Sequence, residues 1–251
     1  MIIKKRKNKP EVEIIVLTWN KIEINKNFLE KLYKNTLIDF GLILIDNNSN
    51  DGTDVFLREF SKNKNNITLV LNDKNEGCVN GRNQGWLISS SFEHKPKYIL
   101  FIDNDQIVEK GWLQQHLNVL KEGYDIVGVE AWQVSSRLLP IHHNTKPNEP
   151  FSYVGCGGML ICREVIENIG LFDSNYNPSY FEDPDFVFRA YNAGYKIGWN
   201  FKSKIKHIGT TNISNDLEKQ KRFMKSLKYF RKKWENKKIP SIKQKYLKLF
   251  D

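Results

Sequence analysis

The 251-residue chain is poor in cysteine and has no long apolar run. Its three cysteines, Cys78, Cys156 and Cys162, are odd in number and lack metal-site spacing. That argues against a disulfide framework and for reduced thiols. No apolar stretch approaches the roughly 18 residues needed to cross a bilayer, so no spanning helix is expected. The opening MIIKKRKNKP has only two apolar residues after Met1, so a secretory leader is not expected either. These absences point to a cytoplasmic protein, with a peripheral position at the inner face of a membrane as the other option.

What is present suits a packed α/β core: 40% hydrophobic residues and 15 glycines. The net charge of +10 is unevenly spread. Residues 1–9 carry +5 and residues 216–251 carry +9, which leaves −4 for residues 10–215. A nucleic-acid binder concentrates positive charge on its folded face, so nucleic acid is not expected as a partner.

Strand and helix patterns alternate along the first half. VEIIVLT, GLILID, ITLVL and YILFID read as strands that are apolar on both faces, and DIVGVEAW as a further strand. Between them, NFLEKLYKNT, DVFLREFSKN, GCVNGRNQGWLISSSF and GWLQQHLNVLKEG read as helices. This alternation predicts a mostly parallel sheet covered by helices. Ligands in such sheets sit at the carboxyl ends of the strands, where Asp46 and Asp103 fall. Residues 135–153, with three prolines and no periodicity, read as a loop or lid. YFEDPDFVFRAYNAGYK reads as a helix begun at Pro184, and YKIGWNFKSKIKHIG as extended chain. Beyond residue 216, Leu217, Met224, Leu227, Phe230 and Trp234 recur at helical spacing among basic residues, and Ile242, Tyr246 and Leu249 repeat the pattern. That segment either packs on the core, meets an anionic membrane or lipid-linked acceptor, or self-associates.

Five places carry chemistry. In extended chain, Asp103 and Asp105 point to one side and Asn104 to the other. Two carboxylates there want a cation between them, and hard oxygen ligands suit Mg²⁺ or Mn²⁺ with substrate phosphates; a capped turn is the alternative. Asp46 either accepts the ring N–H of uracil or thymine, or closes a tight turn in IDNNSNDGT. Arg82 either meets a base edge or phosphate or is a surface arginine. Asp183 either caps the helix that follows or, kept ionised at a helix N-terminus, accepts a proton. His207 is either a packed residue or a metal contact that favours Mn²⁺.

VLTWN, IDNNSNDGT, NEGCVNGRNQG, FIDND, GCGGMLICREVIENIGLFD, YFEDPDFVFRAYNAGYK and HIG, in this order over about residues 12–212, resemble the motifs of the family 2 glycosyltransferases. The last three are most similar to the rhamnosyltransferase-type branch. The resemblance implies a GT-A fold, a Rossmann-like, mostly parallel sheet flanked by helices, over residues 1–215, with residues 216–251 as a basic amphipathic helical extension outside the match. It also implies that Thr18, Asp46 and Arg82 line a nucleotide pocket, that Asp103 sits near ribose and metal, and that Asp105 ligates a Mn²⁺ or Mg²⁺ ion. Asp183 would be the general base, Glu182 would help place the acceptor, and His207 would be a further metal or diphosphate contact. Gly157, Gly158 and Met159 would border the donor sugar or acceptor. The expected activity is inverting transfer of a sugar from a UDP- or dTDP-sugar donor to a glycan, a lipid-linked glycan or a protein. Pro184 departs from the family, which often has an apolar residue there. A non-catalytic sugar-nucleotide-binding scaffold and a sugar-phosphate nucleotidyltransferase are the rival readings. The latter would carry a glycine-rich loop after its first strand, which LTWNKIEIN lacks.

Overall fold

The computed structural model describes residues 1–144, 146, 149–208 and 216–244; Tyr246 and Leu249 lie outside them. Its main sheet has eight strands in the order β1-β4-β3-β2-β5-β11-β7-β12. They are β1 (Ile2–Lys4), β2 (Val12–Thr18), β3 (Gly41–Asp46), β4 (Ile67–Leu71), β5 (Tyr98–Phe101), β7 (Ile126–Gly128), β11 (Met159–Cys162) and β12 (Ile197–Trp199). Strands β4, β3, β2 and β5 run parallel, whereas β11 runs antiparallel to both β5 and β7.

Period-two alternation divides the core. Ile14, Val16, Leu42 and Leu44 face one helical layer, and Ile15, Ile43, Ile45 and Phe101 face the other. The first layer holds α1 (Ile22–Asn35), α2 (Thr53–Ser61) and α4 (Trp112–Lys121), whose Phe28, Leu29, Leu32, Leu57, Leu113 and Leu117 pack there. The second holds α3 (Gly77–Ser90), α5 (Arg163–Ile169), α6 (Glu182–Asn192) and α7 (Leu217–Trp234), with Val79, Val165, Phe188 and Phe230 in that core.

Chain order reverses between β2 and β5, the kind of switch point where α/β sheets open a crevice. Two further pairings complete it. Strand β11 starts with Met159 opposite Phe101, so the residues before it lie beside the chain that leaves β5. A two-stranded ladder of β6 (Gln106–Val108) and β13 (Ile205–His207) sets His207 opposite Gln106.

Three segments differ from expectation. DIVGVEAW is two strands: β7 stays in the main sheet, while β8 (Ala131–Val134) joins a small sheet with β9 (Pro140–His143) and β10 (Tyr153–Val154). The residues read as a loop thus include a strand, β9, antiparallel to β8. Helix α6 begins at Glu182, with Phe181 in the cap position and no side-chain cap. Asp183 is therefore inside the first turn, and Pro184 follows it where a missing N–H does no harm.

The C-terminal helix packs back. Its inward stripe, Leu227, Phe230 and Trp234, is buried; Phe230 meets Phe181 at 5.1 Å and Phe188 at 5.5 Å between ring centroids. Trp234 Nε1 donates to Asp185 Oδ1 (2.8 Å), and Lys233 Nζ pairs with Asp173 (2.6 Å) and Asp185 (2.8 Å). Leu217 and Met224, expected on that stripe, lie on the outside, 73% and 58% exposed. Ile242 exchanges two backbone hydrogen bonds with Phe151.

Candidate active site

A cavity of about 490 Å³ opens at the switch point, and Arg82, Asp103, Gly157, Glu182, Asp183 and His207 all line it. Each arrives by a different route: Asp103 past the end of β5, Gly157 ahead of β11, Arg82 from α3, the Glu182–Asp183 pair from the start of α6, and His207 from β13.

Asp103, Asp105 and His207 form one group whose ligand atoms all lie within 4.8 Å of one another. Asn104 points the other way and donates to Asn25 Oδ1 at 2.6 Å, the alternation expected of Asp-Asn-Asp. His207 Nε2 lies 3.0 Å from Asp105 Oδ1, and Nδ1 lies 3.6 Å from Glu130 Oε1. Hydrogen bonds to these two carboxylates raise the imidazole to about 10 and hold Asp105 and Glu130 below the usual carboxylate range. The ring favours its protonated form among these carboxylates, and a divalent ion bound there would have to displace that proton. The donor set, two aspartate oxygens and an imidazole, fits Mn²⁺ and, less well, Mg²⁺.

Arg82 is not a surface arginine. It is 9% exposed and forks between two acids, with Nη2 on Asp103 Oδ1 and Nη1 on Glu182 Oε1, both at 2.9 Å. Its guanidinium therefore ties the aspartate group to the α6 pair. Five carboxylates (Asp103, Asp105, Glu130, Glu182 and Asp183) meet two cations, Arg82 and His207, around one cavity. The excess of negative charge favours an added cation or retained protons.

The surroundings of the α6 pair favour retained protons. Burial, and then the neighbouring Glu182, push Asp183 up to about 8, although backbone N–H groups of Asp183 and Cys156 pull the other way. Glu182 is also raised, chiefly by burial, against the pull of Arg82. This corrects the expectation that a helix N-terminus keeps Asp183 ionised: desolvation outweighs the dipole in this pocket. Glu182 Oε2 is buried and has no hydrogen-bond partner among the described residues. The chain before the pair is strained, since Tyr180 (φ 78°) and Phe181 (φ 69°) both occupy the left-handed region. Helix α7 braces it. Phe223 packs on both rings at 5.7 and 5.1 Å, and Ser226 Oγ donates to Ser179 O at 3.1 Å.

Gly157 has to be small. A Cβ there would lie 2.7 Å from Asp103 Oδ2 and 3.0 Å from Gln106 Nε2. Gly158 takes φ +83° to turn into β11, and it does not line the cavity. Met159 does not line it either: as the first residue of β11 it is 0% exposed in the core, pinned there by its pairing with Phe101. Thr18 and Asp46 also lie outside the cavity, paired across β2 and β3. Asp46, 1% exposed, accepts from Thr18 Oγ1 (3.1 Å), Ser49 N (2.9 Å) and Ser49 Oγ (2.5 Å), so the turn already uses its carboxylate.

Sequence reasoning missed Glu130, Gln106, Trp132 and Tyr153, all in the cavity wall. Glu130 follows the carboxyl end of β7, and the strand-end rule that singled out Asp46 and Asp103 applies to it equally. It was hidden because DIVGVEAW looks like one unbroken strand.

A mostly parallel sheet with this crevice, an Asp-x-Asp group at its edge and an acidic helix start opposite define a GT-A glycosyltransferase domain. The family model for glycosyl transferase family 2 matches residues 13–200, and the chain belongs to that family. Glycosyltransferase AglE of Haloferax volcanii is 27% identical over 200 residues, which cover 75% of this chain and 64% of that protein. The GalNAc(5)-diNAcBac-PP-undecaprenol beta-1,3-glucosyltransferase of Campylobacter jejuni is 25% identical over 115 residues, 46% of this chain and 36% of that one. The chain thus spans less than two thirds of the length of either relative. Among solved structures, the mannosyltransferase PcManGT from Pyrobaculum calidifontis, in complex with GDP-Man and Mn²⁺, has a TM-score of 0.70 at 15% identity, covering 93% of this chain and 66% of that one.

Proposed function

We propose that this chain transfers a glycosyl group from a nucleoside-diphosphate sugar to an acceptor hydroxyl, with inversion at the anomeric carbon. One observation carries the reading: Arg82 joins a divalent-ion-type group, Asp103–Asp105–His207, to a buried carboxylate pair in a single cavity. Mn²⁺ or Mg²⁺, when bound by Asp103, Asp105 and His207, supplies Lewis-acid stabilisation of the charge on a leaving diphosphate.

The chain's own groups do the rest. The ionised form of Asp183 takes the proton of the acceptor hydroxyl, and its raised proton affinity makes that form a stronger base than an exposed carboxylate. Glu182 Oε2, buried and unpartnered, accepts a hydrogen bond from the acceptor and orients it. The acceptor oxygen forms its bond to the anomeric carbon as the sugar–phosphate bond breaks, and the electron pair leaves with the diphosphate. A single displacement of this kind inverts the centre. Retaining hydrolysis wants a second carboxylate as nucleophile, at about 5 Å from the first. Gly157 keeps the chain close to Asp103 so that the donor can approach. Thr18 and Asp46 shape the base side of the donor site by holding the β3 turn, and the family resemblance makes uracil or thymine the base to test first. Gly158 and Met159 position Gly157.

The acceptor is a glycan, a lipid-linked glycan or a glycoprotein. The Campylobacter relative, whose name specifies an undecaprenol-linked substrate, supports the lipid-linked class. The proposed setting is the cytoplasmic face of a membrane. The test is release of nucleoside diphosphate from UDP-, dTDP- and GDP-sugars with Mn²⁺, Mg²⁺ or chelator. Asp183→Asn should keep donor binding and lose transfer by about 10²–10⁴-fold. Metal-independent turnover, or equal loss of donor affinity in Asp183→Asn, would count against these roles.

A further inference from the structure

Helix α7 has two faces, and the mechanism uses only one. Its outward stripe runs Leu217, Lys221, Met224, Lys225, Lys228 and Lys232, all exposed and spaced as one helical face. Residues 217–238 carry ten basic and two acidic residues. Lys221 has a pairing with Glu218 one turn back, whereas no acid among the described residues pairs with Lys225, Lys228 or Lys232. A shallow groove runs along this stripe, lined by Met224, Leu227, Lys228 and Arg231 among others. The other basic segment, at the N-terminus, is partly spent inside the molecule: Lys4 Nζ donates to the carbonyls of Ser61, Lys62 and Lys64, and Arg6 pairs with Glu13.

We infer that the outward face of α7 docks on the surface of an anionic bilayer and holds the cavity mouth at headgroup level. Three observations carry this. The charge complements an anionic surface, at Lys225, Lys228 and Lys232, which pair with no acid among the described residues. Leu217 and Met224, 73% and 58% exposed, stand among those lysines as apolar contacts for the acyl boundary. The face also adjoins the site, because Phe223, next in sequence to Met224, lines the catalytic cavity with Tyr180 and Phe181. A lipid-linked acceptor would meet the Glu182–Asp183 pair while its lipid stayed in the membrane. The inference deepens the acceptor side of the proposed function, yet vesicle binding reads it without any transfer taking place.

The experiment is sedimentation of the full chain with vesicles of phosphatidylcholine alone or mixed with phosphatidylglycerol, at low and high salt. Binding should require the anionic lipid and fall with salt. Each lysine near such a surface contributes roughly fivefold, so Lys225→Gln/Lys228→Gln/Lys232→Gln should lose roughly a hundredfold in partitioning. Lys5→Gln/Lys7→Gln/Lys9→Gln removes the same charge at the other end of the chain and should lose far less. Donor hydrolysis in free solution should be unchanged in both triple variants, which shows that they are folded. Wild-type protein that ignores anionic vesicles overturns the inference, as does equal loss in the two variants. Inactive protein that still binds vesicles would sink the transfer reading and leave this one standing.

Discussion

Asp183→Asn should stabilise the free protein strongly at pH 8 and much less at pH 5. Burial and Glu182 raise this carboxyl from 3.8 to about 8, so the folded chain holds a proton there that the unfolded chain releases. Stability from this source is complete below about pH 4 and is lost as pH rises through about 8. At about 1.4 kcal/mol per pKa unit the ceiling is about 6 kcal/mol, and sharing the proton with Glu182 reduces the expected gain to about 2–3 kcal/mol. For a chain of this length that is a rise of about 4–12 °C in Tm at pH 8. Two other buried groups also bend the pH profile. Burial raises Glu13 to about 7 and gives loss in the same direction, whereas His116, lowered to about 4, loses stability as pH falls from its ordinary value. Both are common to variant and parent, so the difference between the two melting curves at each pH isolates Asp183. A variant destabilised equally at both pH values would refute the claim that this carboxylate is held at a cost to folding.

Arg82→Met should destabilise by about 3–5 kcal/mol, because it leaves Glu182 buried without its cation; urea unfolding measures this, and a loss below 1 kcal/mol would mean that the fork is incidental. Gly157→Ala forces a methyl against Asp103 Oδ2, and an overpacking cost of about 1–3 kcal/mol predicts roughly 5- to 150-fold weaker donor binding by calorimetry. Phe230→Ala should lower Tm by about 6–20 °C from a lost core ring of about 3–5 kcal/mol. It should also reduce kcat more than donor KM, since Phe230 backs the strained Phe181; unchanged kcat would confine α7 to a structural role.

The parallel sheet was legible because its strands are short, apolar on both faces and separated by helical periodicity, and Asp103, Asp105 and His207 were legible because polar residues at strand ends stand out. What periodicity could not reveal was depth. Asp183 reads in sequence as either a cap or a proton acceptor, but Phe181 takes the cap position in the left-handed region and draws the aspartate into a buried turn. Arg82 reads in sequence as either a surface arginine or a pocket contact, and only the third dimension supplies its two acids, residues 103 and 182. Glu130 was lost because a bend between two sheets, placing β7 in one and β8 in another, leaves no mark in a run of apolar residues. On α7, helical spacing picked out the inward Leu227, Phe230 and Trp234 correctly and wrongly added Leu217 and Met224, which charge density alone would have assigned to the surface.

The most direct test of the account is Mn²⁺ binding in the presence of UDP, read by paramagnetic resonance of the free ion, for the parent chain, Asp105→Ala and His207→Ala. The account predicts one saturable site in the parent and a loss in Asp105→Ala beyond the roughly 10- to 100-fold caused by removing an outer partner of a metal site. Undiminished Mn²⁺ affinity in Asp105→Ala would contradict it.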